Sequence, residues 1–363
     1  MNSIIRNPAA FREDYVPRRI VYREKEYEHL KRVLELVEHG FPVGNFLVLG
    51  PIGSGKTVTI KRVLQDIQFM NSVVTYVVAR SNGYDTMVAI GRELNLRLRG
   101  LGYAEAWSEI VKKVRDRPWI VVIDEADKMM REGRGDNLLY LLSRAGNTVT
   151  ILISNRMNIL DEIRDERVLS SLSPQRIVFS SYTADELYGI LKARLEEAEA
   201  REGLVSDDVI RYIAALAAQK GGDARYAIKL LYLSIMSSIL KGRSSVELAD
   251  VREADNSLRK DELCSLVRGL RVPQVLMLKI LAQRGTLRGT ELYREYLSRN
   301  DAIPLSLRTL QRYLAELELY GFVELQRRSL GRGRGFTTFV NLSSWIDPKE
   351  LSEVLEREEC LPR

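Results

Sequence analysis

The segment GPIGSGKT, from Gly50 to Thr57, constrains this 363-residue chain more than any other stretch. It follows the apolar run NFLVLG and precedes TVTIKRVLQDIQ, which has helical spacing. The pattern G-x-x-x-x-G-K-T between a strand and a helix predicts a loop whose backbone amides cradle phosphate oxygens. Lys56 is placed to reach the β- and γ-phosphates, and Thr57 to bind Mg²⁺. The predicted binding residues for ATP or ADP in this loop are Gly50, Pro51, Ile52, Gly53, Ser54, Gly55, Lys56, Thr57 and Val58.

Five short runs rich in valine and isoleucine lie in the first half of the chain, with helical stretches between them. They span residues 45–50, 72–80, 118–124, 148–155 and 176–182. Continuous apolar strands that alternate with helices indicate a parallel sheet covered on both faces. The predicted fold class is therefore α/β, with a P-loop parallel sheet as its core.

The third apolar run ends in two carboxylates, in the sequence IVVIDEADK. Asp124 is placed to hold Mg²⁺, and Glu125 to orient and deprotonate an attacking water. The letters DEAD also suggest a helicase, but the next strand here ends in Ile-Ser-Asn rather than Ser-Ala-Thr, and a small helical region follows. Asn155 ends that strand, where it either holds the attacking water near the γ-phosphate or simply forms a turn.

The pattern changes after Tyr182, where helical periodicity replaces the apolar runs. Thr183 and Glu186 form a capping box before the first of three helical segments. We predict three domains: an α/β core at 1–182, a small all-helical lid at 183–258, and a third domain at 259–363.

Positive charge is concentrated toward the end of the chain. The net charge is +6, and residues 256–340 contain 15 Arg and Lys against eight Asp and Glu. A basic module on a nearly neutral body suggests a polyanion partner, although an arginine-rich solvated surface would give the same count.

The third domain has the pattern of a winged helix-turn-helix: three helices, then two alternating runs joined by a basic, glycine-rich tip. On its third helix, a predicted apolar stripe is formed by Leu307, Leu310, Leu314 and Leu317. A different face carries Arg308, Gln311, Arg312 and Ala315, residue types that suit the major groove of DNA. The basic tip would reach DNA through Arg327, Arg328, Arg332 and Arg334, unless it is a loose loop with no such role.

The two cysteines, Cys264 and Cys360, are far apart in the sequence. We therefore predict neither a disulfide framework nor a zinc site, and a reduced, intracellular protein. We expect no membrane span, because no run of 18 apolar residues occurs, and no secretory leader.

The order of these motifs resembles the AAA+ ATPases. The segments YVPRRIVYREKEYEHL (15–30) and GDARYAIKLL narrow the resemblance to the archaeal replication initiators, homologues of the eukaryotic origin recognition complex large subunit and of the cell-division-cycle helicase loader. The resemblance implies that Arg225 is a lid sensor of the γ-phosphate and that Val21 lies beside adenine. It also implies a DNA contact at Arg97 and Arg99. Arg167 would complete a neighbour's site, or else pair locally with an acidic residue beside it.

The family resemblance implies a weak ATPase that binds duplex DNA at replication origins, helps to distort it, and recruits or loads the replicative helicase. Copies of the chain or its paralogues would associate on DNA, and the protein would be cytoplasmic and associated with the nucleoid. Two alternatives remain open from the sequence: a winged-helix transcription regulator switched by ATP, and a ring-forming AAA+ remodelling ATPase whose C-terminal unit binds protein.

Overall fold

The structure is a computed structural model that describes residues 4–329 and 336–362. The chain divides between Val251 and Arg252 into two compact units. Within the described residues, no helix is long and apolar enough to cross a bilayer.

The first unit is built on a parallel sheet whose strand order is β2-β3-β4-β1-β5. This order places β1 between β4 and β5, and β4 between β1 and β3. The residues that follow β1, β3 and β4 therefore meet at one edge of the sheet, where the predicted phosphate and metal ligands lie. The strands are β1 (Phe46–Leu49), β2 (Val73–Val78), β3 (Trp119–Asp124), β4 (Thr148–Ser154) and β5 (Gln175–Val178).

The continuous apolar runs result from burial on both faces of this sheet. Every residue of β1 and β3 is buried. Because side chains alternate along a strand, Leu47 and Val121 enter one apolar cluster, whereas Phe46 and Ile120 enter the other. The predicted parallel α/β core is confirmed, with strand ends displaced by at most four residues.

The core, residues 23–182, contains seven α-helices among its described elements. They are α1 (Glu24–Glu38), α2 (Lys56–Asp66), α3 (Gly83–Glu93), α4 (Tyr103–Val114), α5 (Asp127–Met130), α6 (Asp136–Arg144) and α7 (Glu166–Leu172). Leu30 of α1 and Ile60 of α2 cover one face of the sheet, and Ile90 of α3 covers the other.

The helical lid follows the core and consists of α8 (Ala184–Glu197), α9 (Asp207–Gln219) and α10 (Ala224–Leu240). Its helices begin at capping side chains. Thr183 accepts a hydrogen bond from the Glu186 amide, and Glu186 accepts one from the Thr183 amide in return, as the capping box predicts. Asp223 caps α10 by accepting from the amides of Arg225 and Tyr226.

Residues 4–22, here called the N-terminal arm, pack on the lid. The Asn7 amide donates to Ala198 O at 2.9 Å, and Arg194 Nη1 donates to Ala10 O at 3.1 Å. The Phe11 and Tyr232 rings lie 5.5 Å apart. The arm therefore contacts the lid by hydrogen bonds and by apolar packing.

The second unit contains helices and a three-stranded antiparallel sheet in the order β6-β8-β7. The predicted boundary at 258/259 falls inside α11, a helix that also spans the division at Val251. The elements are α11 (Leu248–Arg268), α12 (Val272–Arg284), β6 (Leu287–Arg288), α13 (Gly289–Leu297), α14 (Leu307–Leu319), β7 (Val323–Ser329), β8 (Phe336–Leu342) and α15 (Pro348–Glu356). Three helices followed by a β-hairpin is the order that the sequence predicts.

Helix α14 has one buried face and one exposed face. Leu310, Leu314 and Leu317 are buried in the apolar cluster of the second unit. The prediction is wrong for Leu307, which is 38% exposed. Leu307 is the first residue after the Ser306 N-cap, so its side chain lies at the helix end rather than over the core.

The two cysteines form a disulfide, so the prediction of reduced cysteines is wrong. Cys264 in α11 and Cys360 in the 3₁₀-helix Glu358–Cys360 are both buried in the same apolar cluster, with a Cα–Cα distance of 4.8 Å. Separation along the chain does not determine separation in the fold. The cysteine count therefore gives no argument for a reducing compartment.

Candidate nucleotide site

The loop between β1 and α2 has backbone conformations that require glycine. Gly53 and Gly55 have φ values of 73° and 94°, in the left-handed region. A Cβ atom on Gly53 would also lie 1.8 Å from Oδ1 of Asp223, the residue that caps α10 of the lid. The phosphate loop thus touches the lid so closely that a side chain at position 53 cannot fit.

Lys56 lies at the start of α2 and is buried. Its Nζ donates to Gly50 O at 2.8 Å, Pro51 O at 2.7 Å and Asn155 Oδ1 at 2.9 Å. Burial lowers the pKa of Lys56 to about 8, although the charge of Asp124 opposes that effect. An incoming phosphate would favour the ammonium form, because a nearby negative charge raises the pKa of a cation.

Asp124 is the acceptor for three donors at the end of β3. Its Oδ2 accepts from Thr57 Oγ1 at 2.9 Å and from the Tyr76 hydroxyl at 2.5 Å, and its Oδ1 accepts from the Glu125 amide at 2.8 Å. Burial and the charge of Asp124 both raise the pKa of Tyr76. A hydroxyl in contact with a carboxylate fits the oxygen ligands that Mg²⁺ prefers, with its other ligands from phosphates and water.

Glu125 lies beside this pair but is held by a cation of its own. Its backbone has a φ of 54°, which is uncommon for a residue with a side chain. Its Oε2 forms an ion pair with Lys128 Nζ, and the side chains are 38% and 54% exposed, respectively. The predicted base is thus engaged by an ammonium group three residues further along the chain.

A cavity of about 610 Å³ joins the predicted site residues. It reaches from the phosphate loop to the space between the arm and the lid, where Phe11, Tyr15 and Tyr232 line it. The predicted residues that line the cavity are Val21, Gly53, Ser54, Gly55, Lys56, Thr57, Val58, Asp124, Glu125, Asn155 and Arg225. Gly50, Pro51, Ile52 and Arg167 are not among the lining residues.

Sequence reasoning did not single out Tyr76, Tyr182 or the side chain of Arg23. Tyr182 lines the cavity. Tyr76 and Arg23 lie beside it and donate to Asp124 Oδ2 and to Ser54 O, respectively. Tyr76 reaches Asp124 because β2 and β3 are neighbours, with Tyr76 paired to Val122 in the register. No pattern within one strand reveals such a contact, because it depends on strand order.

Arg167 lies in the first turn of α7, outside the cavity. It forms a bidentate contact with Asp165, with Nη2 2.7 Å from Oδ2, and its side chain is 74% exposed. Its guanidinium also lies 5.6 Å from the centre of the Tyr140 ring. This local pairing is one of the two alternatives that the sequence left open.

The predicted DNA-binding residues that the structure describes are exposed, and they lie in both units. Arg97 and Arg99 are exposed in the segment after α3. Arg308, Gln311 and Arg312 are exposed on α14. Arg327 and Arg328 are exposed on β7, and the Arg328 guanidinium lies 5.0 Å from the centre of the Phe339 ring. Arg332 and Arg334 lie outside the described residues.

Two segments of the chain match known domain families. Residues 42–160 match the AAA domain model, and residues 188–256 match the Cdc6 AAA+ ATPase-type lid domain. The protein is therefore an AAA+ ATPase, and its phosphate-loop cavity belongs to a nucleotide-binding class of enzymes.

Relatives among characterised proteins identify the family. An ORC1-type DNA replication protein of Methanothermobacter thermautotrophicus is 36% identical over 350 residues, which cover 94% of each chain. Another from Desulfurococcus amylolyticus is 31% identical over 88% of this chain and 87% of its own. The chain belongs to the ORC1-type DNA replication protein family, as the motif resemblance predicted.

Two solved structures are similar over nearly the whole chain. The Aeropyrum pernix ORC1 protein, solved in complex with DNA, has a TM-score of 0.81 and 28% identity over 99% of this chain and 98% of its own. The Cdc6p structure from Pyrobaculum aerophilum has a TM-score of 0.63 and 22% identity, covers 97% of this chain and 98% of its own, and supports the fold alone.

Proposed function

We propose that this protein is an ATP-controlled initiator that binds duplex DNA at replication origins, helps to distort it, and recruits or loads the replicative helicase. The observation that carries the proposal is the relationship to ORC1-type replication proteins over 94% of both chains. The similarity covers the basic second unit as well as the ATPase core. It therefore favours a common role with these replication proteins over a relationship limited to the ATPase core.

The proposed ATP site uses the residues that meet in the cavity. Lys56 binds the β- and γ-phosphates, and the loop amides between Gly50 and Val58, except at Pro51, which has no N–H, hold their oxygens. Thr57 Oγ1 and Asp124 Oδ2, which lie 2.9 Å apart, would hold Mg²⁺. When bound, Mg²⁺ neutralises charge on the phosphates. Val21 contacts the base at the arm side of the cavity.

The proposed hydrolytic residues are Glu125, Asn155 and Arg225. Glu125 takes a proton from the attacking water, Asn155 orients that water, and Arg225 contacts the γ-phosphate from the lid. The ion pair between Glu125 and Lys128 supports slow, regulatory hydrolysis, because the carboxylate must leave an ammonium group before it accepts a proton. Arg167 would act in a neighbouring copy only after it leaves Asp165.

The proposed DNA contacts come from the exposed face of α14 and from the hairpin that follows it. Arg308, Gln311 and Arg312 would enter the major groove, where guanidinium and amide groups can read base edges. Arg327, Arg328, Arg332 and Arg334 would contact the backbone or the minor groove. Arg97 and Arg99 of the first unit would add a second contact.

This role implies the remaining proposals about partners, location and domains. The partners are origin DNA, the replicative helicase, and copies or paralogues of the chain on DNA. The protein would work in the cytoplasm, at the nucleoid. We propose the domain limits 1–182, 183–258 and 259–363 for the core, lid and winged helix.

Duplex binding as a function of salt concentration tests the DNA surface. The plot of log K against log salt has a negative slope, and we expect Arg308→Ala with Arg312→Ala to make it shallower by about 0.9 for each DNA phosphate that the variant no longer neutralises. A matched control, Lys349→Ala with Arg357→Ala, removes two charges from the region of α15, which packs on α12. Equal effects of both pairs, or no effect of the α14 pair, would contradict the assignment.

A further inference from the structure

The first unit has two places where the chain passes between the core and the arm–lid assembly. The arm joins the core at Tyr22 and Arg23, directly before α1 begins at Glu24. The core joins the lid between β5 and α8, at residues 179–183. Any movement of the lid against the sheet must change the backbone at both places.

The side chain of Arg23 lies between these two crossings and the phosphate loop. Its Nη1 donates to Tyr22 O at 2.8 Å, and its Nη2 donates to Ser180 O at 2.5 Å. Its Nε donates to Ser54 O at 3.0 Å. One planar guanidinium therefore binds a carbonyl from each crossing and a third from the loop that would hold phosphate.

Burial and ring contacts fix this guanidinium in place. Arg23 is only 4% exposed, and its Cζ lies 3.9 Å from the centre of the Tyr182 ring and 5.8 Å from that of Phe179. Both rings belong to the second crossing. A buried cation is costly without hydrogen bonds, and all three nitrogens of this one donate to backbone carbonyls rather than to a side chain that can rotate away.

Tyr182 extends the same arrangement to the lid. A Cβ atom on Gly55 would lie 2.4 Å from the Tyr182 hydroxyl, so the ring packs directly on the phosphate loop. The Tyr182 amide donates to Gly222 O at 3.4 Å, and the Ala224 amide donates to Gly53 O at 3.2 Å. The phosphate loop is thus linked to the start of α10 on one side and to Arg23 on the other.

Side-chain contacts fix the arm to α8 of the lid. Glu197 of α8 accepts from the Tyr15 hydroxyl at 2.7 Å and from the Arg18 amide at 2.9 Å. The Tyr22 side chain lies against Gly189 of α8, where a Cβ would be 2.1 Å from its hydroxyl. These contacts would carry the arm along with the lid, whereas Arg23 stays at the start of a helix packed on the sheet.

We propose that Arg23 is a positioning residue that pins both crossings to the phosphate loop and so couples nucleotide binding to the position of the lid. The inference rests on the proposed role of the phosphate loop as the nucleotide site. It explains why a cation that does not line the cavity is buried beside it. Nucleotide that shifts the Ser54 backbone moves the carbonyl that Arg23 binds, and Arg23 passes the change to Ser180.

The test measures the distance between core and lid with spin labels in the full chain. Labels are attached through Glu93→Cys in the core and Asp208→Cys in the lid, both exposed positions. Distances are recorded without nucleotide, with ADP and Mg²⁺, and with a non-hydrolysable ATP analogue and Mg²⁺. We expect a narrow distribution for the otherwise wild-type chain, and a broad one for Arg23→Met without nucleotide.

Nucleotide affinity is measured on the same variants. Loss of the Arg23 hydrogen bonds reduces the fraction of molecules whose lid is positioned to bind nucleotide. If that fraction falls to about one tenth, the apparent Kd for ADP rises about tenfold. Arg23→Lys keeps the positive charge but lacks the planar guanidinium that reaches three carbonyls. Its distance distribution and Kd should therefore lie between those of wild type and Arg23→Met. This graded rescue distinguishes positioning from a general loss of stability, and it decides the question if Arg23→Met does not fold.

Arg117 provides a matched control within the same unit. Its guanidinium also binds three backbone carbonyls, those of Met70, Asn71 and Ser72, but all three lie in the core. Arg117→Met should leave both the distance distribution and the Kd unchanged. The proposal would be overturned if folded Arg23 variants had the wild-type distance distribution and a Kd within about twofold of wild type. It would also be overturned if Arg117→Met broadened the distribution as much as Arg23→Met does. Failure of the wild type to bind nucleotide would instead refute the proposed ATP site, and the nucleotide-free distances would still decide the role of Arg23.

Discussion

Lys128→Ala is expected to increase the rate of ATP hydrolysis, because it frees the carboxylate that we propose as the base. In the structure, Glu125 Oε2 is paired with Lys128 Nζ. Each turnover must break this pair before Glu125 accepts a proton from water. The substitution removes that requirement and leaves the Glu125 backbone in place.

The expected magnitude follows from the exposure of the pair. The two side chains are 38% and 54% exposed, so solvent screens their attraction and it is worth between about 0.2 and 1 kcal/mol. A barrier lowered by that amount gives a rate increase of about 1.4- to fivefold. Raising the salt concentration should increase the wild-type rate toward that of the variant, because salt screens exposed ion pairs.

Single-turnover hydrolysis with excess enzyme measures this effect without interference from product release. Lys112→Ala is the control, since Lys112 and Glu109 form an i,i+3 pair of similar exposure on α4 with a 2.7 Å contact. It should leave the rate unchanged. A lower rate for Lys128→Ala would refute the reasoning, because it would mean that the pair orients Glu125 for catalysis instead of restraining it.

Two further predictions concern the stability of each unit. Burial opposes ionisation of Glu38, but amide donors from residues 70–72 outweigh it and lower its pKa, so this carboxylate stabilises the fold when ionised. Glu38→Gln should lower the free energy of unfolding by about 2 kcal/mol at pH 7, measured by urea unfolding. The difference from wild type should shrink as the pH falls below 4.5, the ordinary glutamate pKa, and should vanish below the lowered pKa of Glu38. A difference that does not change with pH would contradict this. Reduction of the Cys264–Cys360 disulfide, which closes a loop with a sequence separation of 96, should lower the free energy of unfolding of the second unit by up to about 4.7 kcal/mol. A Cys264→Ala, Cys360→Ala variant that is insensitive to reductant is the control, and unchanged unfolding of the reduced wild type would contradict the expectation.

Local patterns predicted the features that depend on a few adjacent residues. The phosphate loop combines a strand end, glycines and a helix start within eight residues, so its sequence pattern identifies it directly. The apolar runs became strands because a parallel sheet buried on both faces needs no polar alternation, as in β3. The capping box at Thr183 is likewise local.

Features that depend on tertiary contacts were missed or predicted wrongly. Cys264 and Cys360 meet because α11 and the last 3₁₀-helix share one apolar cluster. Arg23 looks like one basic residue among several in VPRRIVYRE, and only the fold brings Ser54 O and Ser180 O to its guanidinium. Glu125 has a positive φ and is paired with Lys128, and the letters DEADK reveal neither feature.

The most direct test of the central claim is a genome-wide footprint of the bound protein in growing cells. The account predicts occupancy concentrated at one or a few sites where replication begins. It also predicts that Arg308→Ala with Arg312→Ala removes this occupancy while ATP binding persists. Occupancy spread over many promoters, with none at the sites where replication starts, would contradict the account and favour an ATP-switched transcription regulator.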